Sequence, residues 1–294
     1  MTHVSPKVLA QAIGVSESSL KRWVDQGRLG GERTAGGHRR IALAEAIRFV
    51  REAGLSVVRP ELLGLVGDRG DRGRRAEWDG AAEALYTAFV EDRPTEAVGL
   101  VVSLYLGGAS LGWIFDVPMR SALARIGELW NHGPEGVFLE HRATETCLHA
   151  LARLRPLVPD APAGAPMALG GGQEDDVYRL PSVMAALVLA EAGFRVRDLG
   201  PDTPTETLLV AIRHLDPQVV WLSLSVPPPK PHDAVADLRR VAETLGAGAV
   251  LIGGRGSVAL PPIGHPRVHR LGGMAEMAAY ARAALVPTTA ARAG

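Results

Sequence analysis

Apolar residues recur at helical spacing from the start of the chain. In SPKVLAQAIG, Leu9 and Ile13 share one face, Ser5 is placed to cap, Pro6 suits the first helical position and Gly14 stops the helix. In SESSLKRWVDQG, Leu20, Trp23 and Val24 point inward and leave Ser18, Ser19, Lys21, Arg22 and Gln26 facing outward. Two short helices joined by a tight turn are therefore predicted. Residues 33–40 then set a Gly-Gly pair between basic arms, as in a β-hairpin, and a third helix is predicted over residues 42–53. Over residues 80–157 the spacing stays helical, in AAEALYTAFV, GLVVSLYLGG and SALARIGELW, with no strand signal. Beyond residue 166 short apolar runs such as MALGGG, VVWLSLSV and AVLIGG alternate with amphipathic segments. That alternation predicts an open parallel sheet with helices on both faces. Ligands of such sheets sit beyond the C-terminal strand ends, here Gly170-Gly171-Gly172, Leu199-Gly200-Pro201, Ser223-Leu224-Ser225 and Gly253-Gly254.

Two stretches break the pattern. DRGDRGRR, residues 68–75, is charged and Gly-interrupted, and PDAPAGAP, residues 159–166, is rich in Pro, Ala and Gly; both read as linkers. The expected organisation is a head over 1–60, a linker over 61–79, a helical-bundle cap over 80–158 and a Rossmann-like α/β domain over 166–290. Hydrophobic residues at 47% and charged residues at 22% of the 294 exclude a wholly disordered or collagen-like chain. The absence of an apolar run of roughly 18–20 residues and of a signal-peptide core predicts a cytoplasmic protein with no membrane partner. The single cysteine, Cys147, rules out an internal disulfide and a Cys-rich zinc site.

The balanced total charge hides an asymmetry. Residues 1–60 hold ten Lys/Arg against five Asp/Glu, a net of +5, which leaves −5 on the remainder. A basic head on an acidic body suggests a polyanion-binding module attached to a part with another task. Helix-turn-helix, basic hairpin and third helix come in the order that lets a second helix enter a DNA major groove while the hairpin grips phosphate. Ser18, Ser19, Lys21, Arg22, Arg33, Thr34, His38, Arg39 and Arg40 are the candidate DNA contacts. In SPKVLAQAIGVSESSLKRWVDQG and RTAGGHRR the first 55 or so residues resemble the MerR-type winged helix-turn-helix family. The long dimerising helix common after such heads is missing, because helix three meets Gly54 and then Pro60. Dimerisation is then expected to come from the body.

The body carries W-N-H-G-P-E-G-V-F-L-E-H, with Trp130, Glu140 and His141, followed by L-G-P-D-T-P from Leu199, Ser223 at a strand end and G-G-R-G from Gly253. With these pieces residues 80–290 resemble the cobalamin-binding module of methionine synthase and of CarH/LitR-type light-sensing repressors. The resemblance implies a helical cap over the upper corrin face and a Rossmann-like domain below, with a nucleotide tail threaded between sheet and helix. Glycines permit that close backbone approach. It also implies cofactor contacts from Trp130, Glu140, His141, Tyr178, Leu199, Gly200, Pro201, Ser223, Gly253 and Gly254.

The departures bear on the chemistry. Where the family has D/E-x-H-x-x-G after the first strand, with its His on cobalt, this chain has Asp176-Val177-Tyr178-Arg179-Leu180-Pro181. Tyr178 takes the His position, and phenol is a poor ligand for low-valent or alkyl cobalt. The residue after Trp130, a His in CarH, is Asn131, with His132 one place on; Trp221 is bulky enough to fill part of the tail tunnel. No metal ligand is therefore assigned. Cobalamin is the cofactor the resemblance implies, and the missing His argues against it; haem, with Tyr178 as ligand, or a bilin is the lesser alternative.

The expected protein is a non-enzymatic transcriptional regulator. Its winged head recognises double-stranded operator DNA, and its cobalamin-binding-like sensor controls homo-oligomerisation through the C-terminal body. The alternatives are a corrinoid-carrying enzyme component, and a regulator with an empty pocket that senses a protein partner or another flat ligand.

Overall fold

The computed structural model describes residues 3–33, 39–65, 76–129 and 133–285. The chain divides into two compact units, residues 1–159 and 160–294.

The first unit opens with β1 (His3–Val4), α1 (Pro6–Ala12) and α2 (Glu17–Asp25). Local chemistry sets both helix starts. The Val8 amide donates to Ser5 Oγ at 3.2 Å and the Ser19 amide to Ser16 Oγ at 3.1 Å, while Gly14, at φ +70°, turns the chain between them. β2 (Glu32–Arg33), β3 (Arg39–Ala42) and α3 (Leu43–Glu52) follow, and the three short strands pair antiparallel in the order β1-β3-β2. Leu9, Leu20, Ile41, Ile47 and Val50 form the buried centre. Trp23 and Val24 are only half-buried, less inward than their spacing predicts, and the Trp23 ring sits 5.1 Å from Phe49.

The segment expected to be a linker over 61–79 carries helical turns at both described ends. The turn Pro60–Leu63 packs on α1 and buries Leu63, and α4 (Ala76–Asp79) precedes the bundle. The bundle consists of α5 (Ala81–Val90), α6 (Pro94–Leu106), α7 (Leu111–Ile114), α8 (Arg120–Glu128) and α9 (Pro134–Leu154). A π-helical turn, Phe115–Met119, absorbs Pro118, whose missing N–H an α-helix interior would not tolerate. Leu85, Phe89, Val101, Tyr105, Ile126 and Leu151 fill the core.

The head is not a tethered module, as the linker reading implies. α3 packs on the turn Arg155–Leu157, and the Arg51 guanidinium donates to the carbonyls of Tyr105 and Ala109 while stacking 3.8 Å above the Tyr105 ring. Head and bundle share one unit, and this cation finds its acceptors across sequence separations of 54 and 58 residues.

In the second unit β4 (Met167–Gly172), β5 (Arg195–Asp198), β6 (Val219–Ser223), β7 (Ala249–Gly253) and β8 (Val268–Arg270) form a wholly parallel sheet in the order β5-β4-β6-β7-β8. The crossovers are α10 (Leu180–Ala192), α11 (Thr205–Leu215) and α12 (Pro231–Leu245), and α13 (Met274–Leu285) closes the described chain. Val220, Leu222, Val250 and Ile252 pack against α11 and α12 on one face. Alternation turns Trp221 to the opposite face, where α10 packs beside α13. The parallel sheet with helices on both faces is the architecture the alternation predicts, and the chain order reverses between β4 and β6. Among the described residues, no helix is long and apolar enough to cross a membrane.

Candidate functional site

Two places gather the residues singled out in the sequence. The first is the basic head. Of its candidate contacts, Thr34 and His38 lie outside the described residues, and Arg33 is described only as backbone in β2. The Ser18 and Ser19 hydroxyls are each 2.9 Å from Ser16 Oγ, so they belong to the helix cap. Lys21 pairs with Glu17 at 3.0 Å and Arg39 with Asp25 at 2.5 Å. Elsewhere in the head Arg48 is clamped between Glu45 and Glu52, and Arg59 donates to the Gln11 carbonyl. The Glu45 carboxyl is held below its ordinary range, mainly by the Arg48 hydrogen bonds and also by the Gly30 amide at 2.7 Å. Much of the positive charge is thus internal cement. Lys7, Arg22, Arg28 and Arg40 are exposed and have no side-chain partner among the described residues. Arg22 lies on α2 and Arg40 on the hairpin strand β3.

On α9 Glu140 is half-buried and accepts from the Thr144 hydroxyl at 3.0 Å, whereas His141 is exposed with its Nε2 3.8 Å from Glu140. Phe138, one turn earlier, is 61% exposed. Trp130, Asn131 and His132 lie outside the described residues. Cys147 is buried on the same helix with its thiol pushed up to about 12 by desolvation, so it is chemically inert.

The second place is the row of C-terminal strand ends in the α/β unit. The loop after β5 is pinned to β4: Leu199 N donates to Gly170 O at 2.7 Å, Gly172 N to Gly200 O at 2.8 Å and Thr203 N to Gly172 O at 2.9 Å. Gly200 takes φ +91°, and a Cβ on Gly171 would come within 2.6 Å of the Gly200 carbonyl. Ser223 Oγ reaches the Gly171 carbonyl at 3.4 Å. Gly254, at φ +102°, and Gly256 press on the backbone of Leu224 and Val226, where no Cβ fits. Leu199, Gly200, Pro201, Ser223, Gly253 and Gly254 therefore do converge at the strand ends. Gly254 serves close backbone contact within the protein, Gly200 serves the turn through its positive φ, and a Cβ on Gly253 would meet nothing closer than 3.5 Å.

The hub is a residue not assigned as a site from the sequence. Asp176 is 2% exposed. Its Oδ2 accepts from Ser225 N at 2.5 Å, its Oδ1 from Tyr178 N at 3.1 Å, and its carbonyl from Asp202 N at 2.8 Å. The carboxylate so ties the segments that follow β4 and β6, and the backbone carbonyl of the same residue holds the loop after β5. A second hidden chain runs on the other side of the sheet. Trp221 Nε1 donates to Ser182 Oγ at 3.2 Å, Ser182 donates to Asp198 Oδ1 at 2.8 Å, and the same oxygen accepts from Gly200 N at 3.0 Å. The only advance signal was a lone serine in the otherwise apolar LPSVMAALVLA.

At the switch point Gln173 Oε1 and Ser225 Oγ are shielded from solvent without a hydrogen-bond partner among the described residues. Gln173 borders a crevice of about 10 Å³ lined also by Glu174, Asp175, Asp176, Leu224, Val226, Pro228 and Pro229. Its lip is acidic, from Glu174 and Asp175. It is about the size of a single water and far below the roughly 300–1,000 Å³ of most small-molecule pockets. Tyr178 sits 39% exposed just before α10, and Pro181 belongs to the first turn of that helix. The described residues hold no group of three or more His, Cys, Asp or Glu arranged for a metal. The imidazole under the corrin that the resemblance requires is absent, and the face of the sheet under α10 is filled by Trp221. These residues do not fit a His-ligated, tail-inserted cobalamin.

No family model matches the chain. Two curated relatives are similar to it over 114 residues, or 37% of this chain. They are dimethylamine corrinoid protein 1 of Methanosarcina acetivorans, 25% identical, and the dimethylamine corrinoid protein of Methanosarcina barkeri, 23% identical. The chain spans about half the length of these curated relatives. Among solved structures, the monomethylamine corrinoid protein of Methanosarcina barkeri aligns over 72% of this chain and 100% of its own, with a TM-score of 0.55 and 17% identity. The likeness is one of fold, helical segments followed by a parallel α/β unit.

Proposed function

We propose that this protein is a cytoplasmic DNA-binding regulator in which a winged helix-turn-helix head is joined to a corrinoid-protein-type body. The observation that carries the reading is the head's geometry. α1 and α2 form a tight helical pair, and the β2–β3 pair with α3 follows, with Arg22 on α2 and Arg40 on β3 both exposed. A helix offering base-edge contacts beside a strand pair gripping phosphate is the docking scheme of such heads. The matched corrinoid protein is covered over its whole length while 28% of this chain is left over, which accommodates an added module. The body acts without catalysis of its own, and self-association through it lets linked heads gain avidity.

The experiment is selection of duplex DNA by the full chain, followed by titration over a range of salt. Arg22→Ala with Arg40→Ala should weaken binding and lower the slope of log affinity against log salt by about 1 for each phosphate no longer neutralised. An unchanged slope removes the head assignment.

A second reading makes the chain a corrinoid-carrying component of a methyl-transfer system. The likeness to the dimethylamine and monomethylamine corrinoid proteins, taken alone, favours this reading over the first. Tyr178 at the ligand position and Trp221 within the sheet weigh against it. Selection of no duplex, together with co-purification of a corrinoid, would make it the better one.

A further inference from the structure

The body's likeness to corrinoid proteins raises the question of what its own side chains leave open to such a ligand. Trp221 is 1% exposed and lies in the middle of β6, two residue-pairs from the strand end. Its register partner on β4 is Gly170, and a Cβ there would overlap both the Trp221 carbonyl and its indole. The ring thus lies in a hollow that only glycine leaves on the neighbouring strand. Its N–H is not left to chance either: Ser182, fully buried on α10, accepts it and passes the chain on to Asp198 and Gly200. Backbone hollow, bicyclic ring and polar anchor together make a slot between β4, β6 and α10 with its occupant built in.

The nucleotide tail of a cobalamin ends in 5,6-dimethylbenzimidazole, a bicyclic aromatic base close to indole in size and shape. We propose that the Trp221 indole occupies the slot such a base needs, so that this protein takes no corrinoid with its tail inserted between sheet and helix. Any corrin it holds is bound through the ring alone. Trp221 is on this account a specificity-determining residue that acts by exclusion. The inference rests on the corrinoid-protein character of the body and is independent of DNA binding by the head.

The test compares retention of hydroxocobalamin and hydroxocobinamide, the same corrin with and without its tail, by the full chain and by Trp221→Ala. Equal retention of the two, or of neither, is expected for the natural chain. A preference for hydroxocobalamin of about tenfold or more there overturns the proposal. Trp221→Ala should gain that preference, and free 5,6-dimethylbenzimidazole should raise its melting temperature while leaving the natural chain unmoved. A folded Trp221→Ala that holds both corrins equally overturns the plug and leaves the corrin reading intact. Binding of neither corrin by either protein defeats both, even if the base rescues stability. Should Trp221→Ala fail to fold, Trp221→Val takes its place, and the natural-chain arm stands by itself.

Discussion

Arginines tie segments together in both units, but the head–bundle junction and the strand ends of the sheet are held by different devices. In the N-terminal unit long arginines bridge distant segments: Arg51 to Tyr105 and Ala109, Arg142 to the Phe89 carbonyl, Arg59 to the Gln11 carbonyl. At the strand ends of the C-terminal unit short side chains do this, with Asp176, Asp198, Ser182 and Ser223 satisfying backbone amides, hydroxyls or carbonyls within a few ångströms. The difference teaches that charge counted in a sequence is a poor measure of binding surface where arginines act as struts. It also shows that a missing ligand is a poor measure of a pocket where a core side chain fills the space.

The comparison is most open to attack at Trp221. Its truncation to alanine should cost the C-terminal unit about 3–5 kcal/mol in denaturant unfolding, from reduced burial and a residual cavity. A loss below about 1 kcal/mol would mean that the slot collapses freely and is not a fixed feature. Asp176→Ala comes next. It strands the Ser225 and Tyr178 amides and should cost about 2–3 kcal/mol, with amide exchange rising at both strand-end loops. Were exchange to rise at one loop alone, the residue would not be a hub.

Smaller effects belong to the N-terminal unit. Arg51→Ala should destabilise it by about 1–3 kcal/mol, because two carbonyls lose a charged donor and a ring loses its cation. The head and bundle should then unfold in separate transitions; a single transition would show that other interactions couple them. The Glu45–Arg48 pair gives a pH test. Glu45 titrates lower in the folded state than in the unfolded chain, so its stabilisation is present above the unfolded value of about 4.5 and is lost as pH falls through the folded value. Glu45→Gln should remove about 1 kcal/mol at neutral pH and flatten this acid limb of the stability curve. Unchanged steepness would assign the limb to other carboxylates. Least of all, Arg125→Ala breaks an exposed pair with Glu83 and should leave the melting temperature within error.

Much of the head was legible because its information is local. Ser5, Pro6 and Gly14 act within a turn or two of their own positions, and the capping distances follow from residue type. The strand–helix alternation beyond residue 166 was legible for a similar reason, since periods of 2 and 3.6 are written along the chain. The reading of 61–79 as a linker did not anticipate Leu63, a single apolar residue whose burial depends on α1 more than fifty positions earlier.

The sequence by itself determined the elements, their order, the glycine-rich strand ends and the replacement of an expected His by Tyr178. Tertiary structure decided the rest, because the deciding interactions join residues far apart in the chain. Which arginines are spent on struts depends on carbonyls more than fifty residues away. The Trp221 indole meets Gly170 and Ser182 only because parallel pairing sets β6 beside β4 in one register and alternation turns that ring, not its neighbours, under α10.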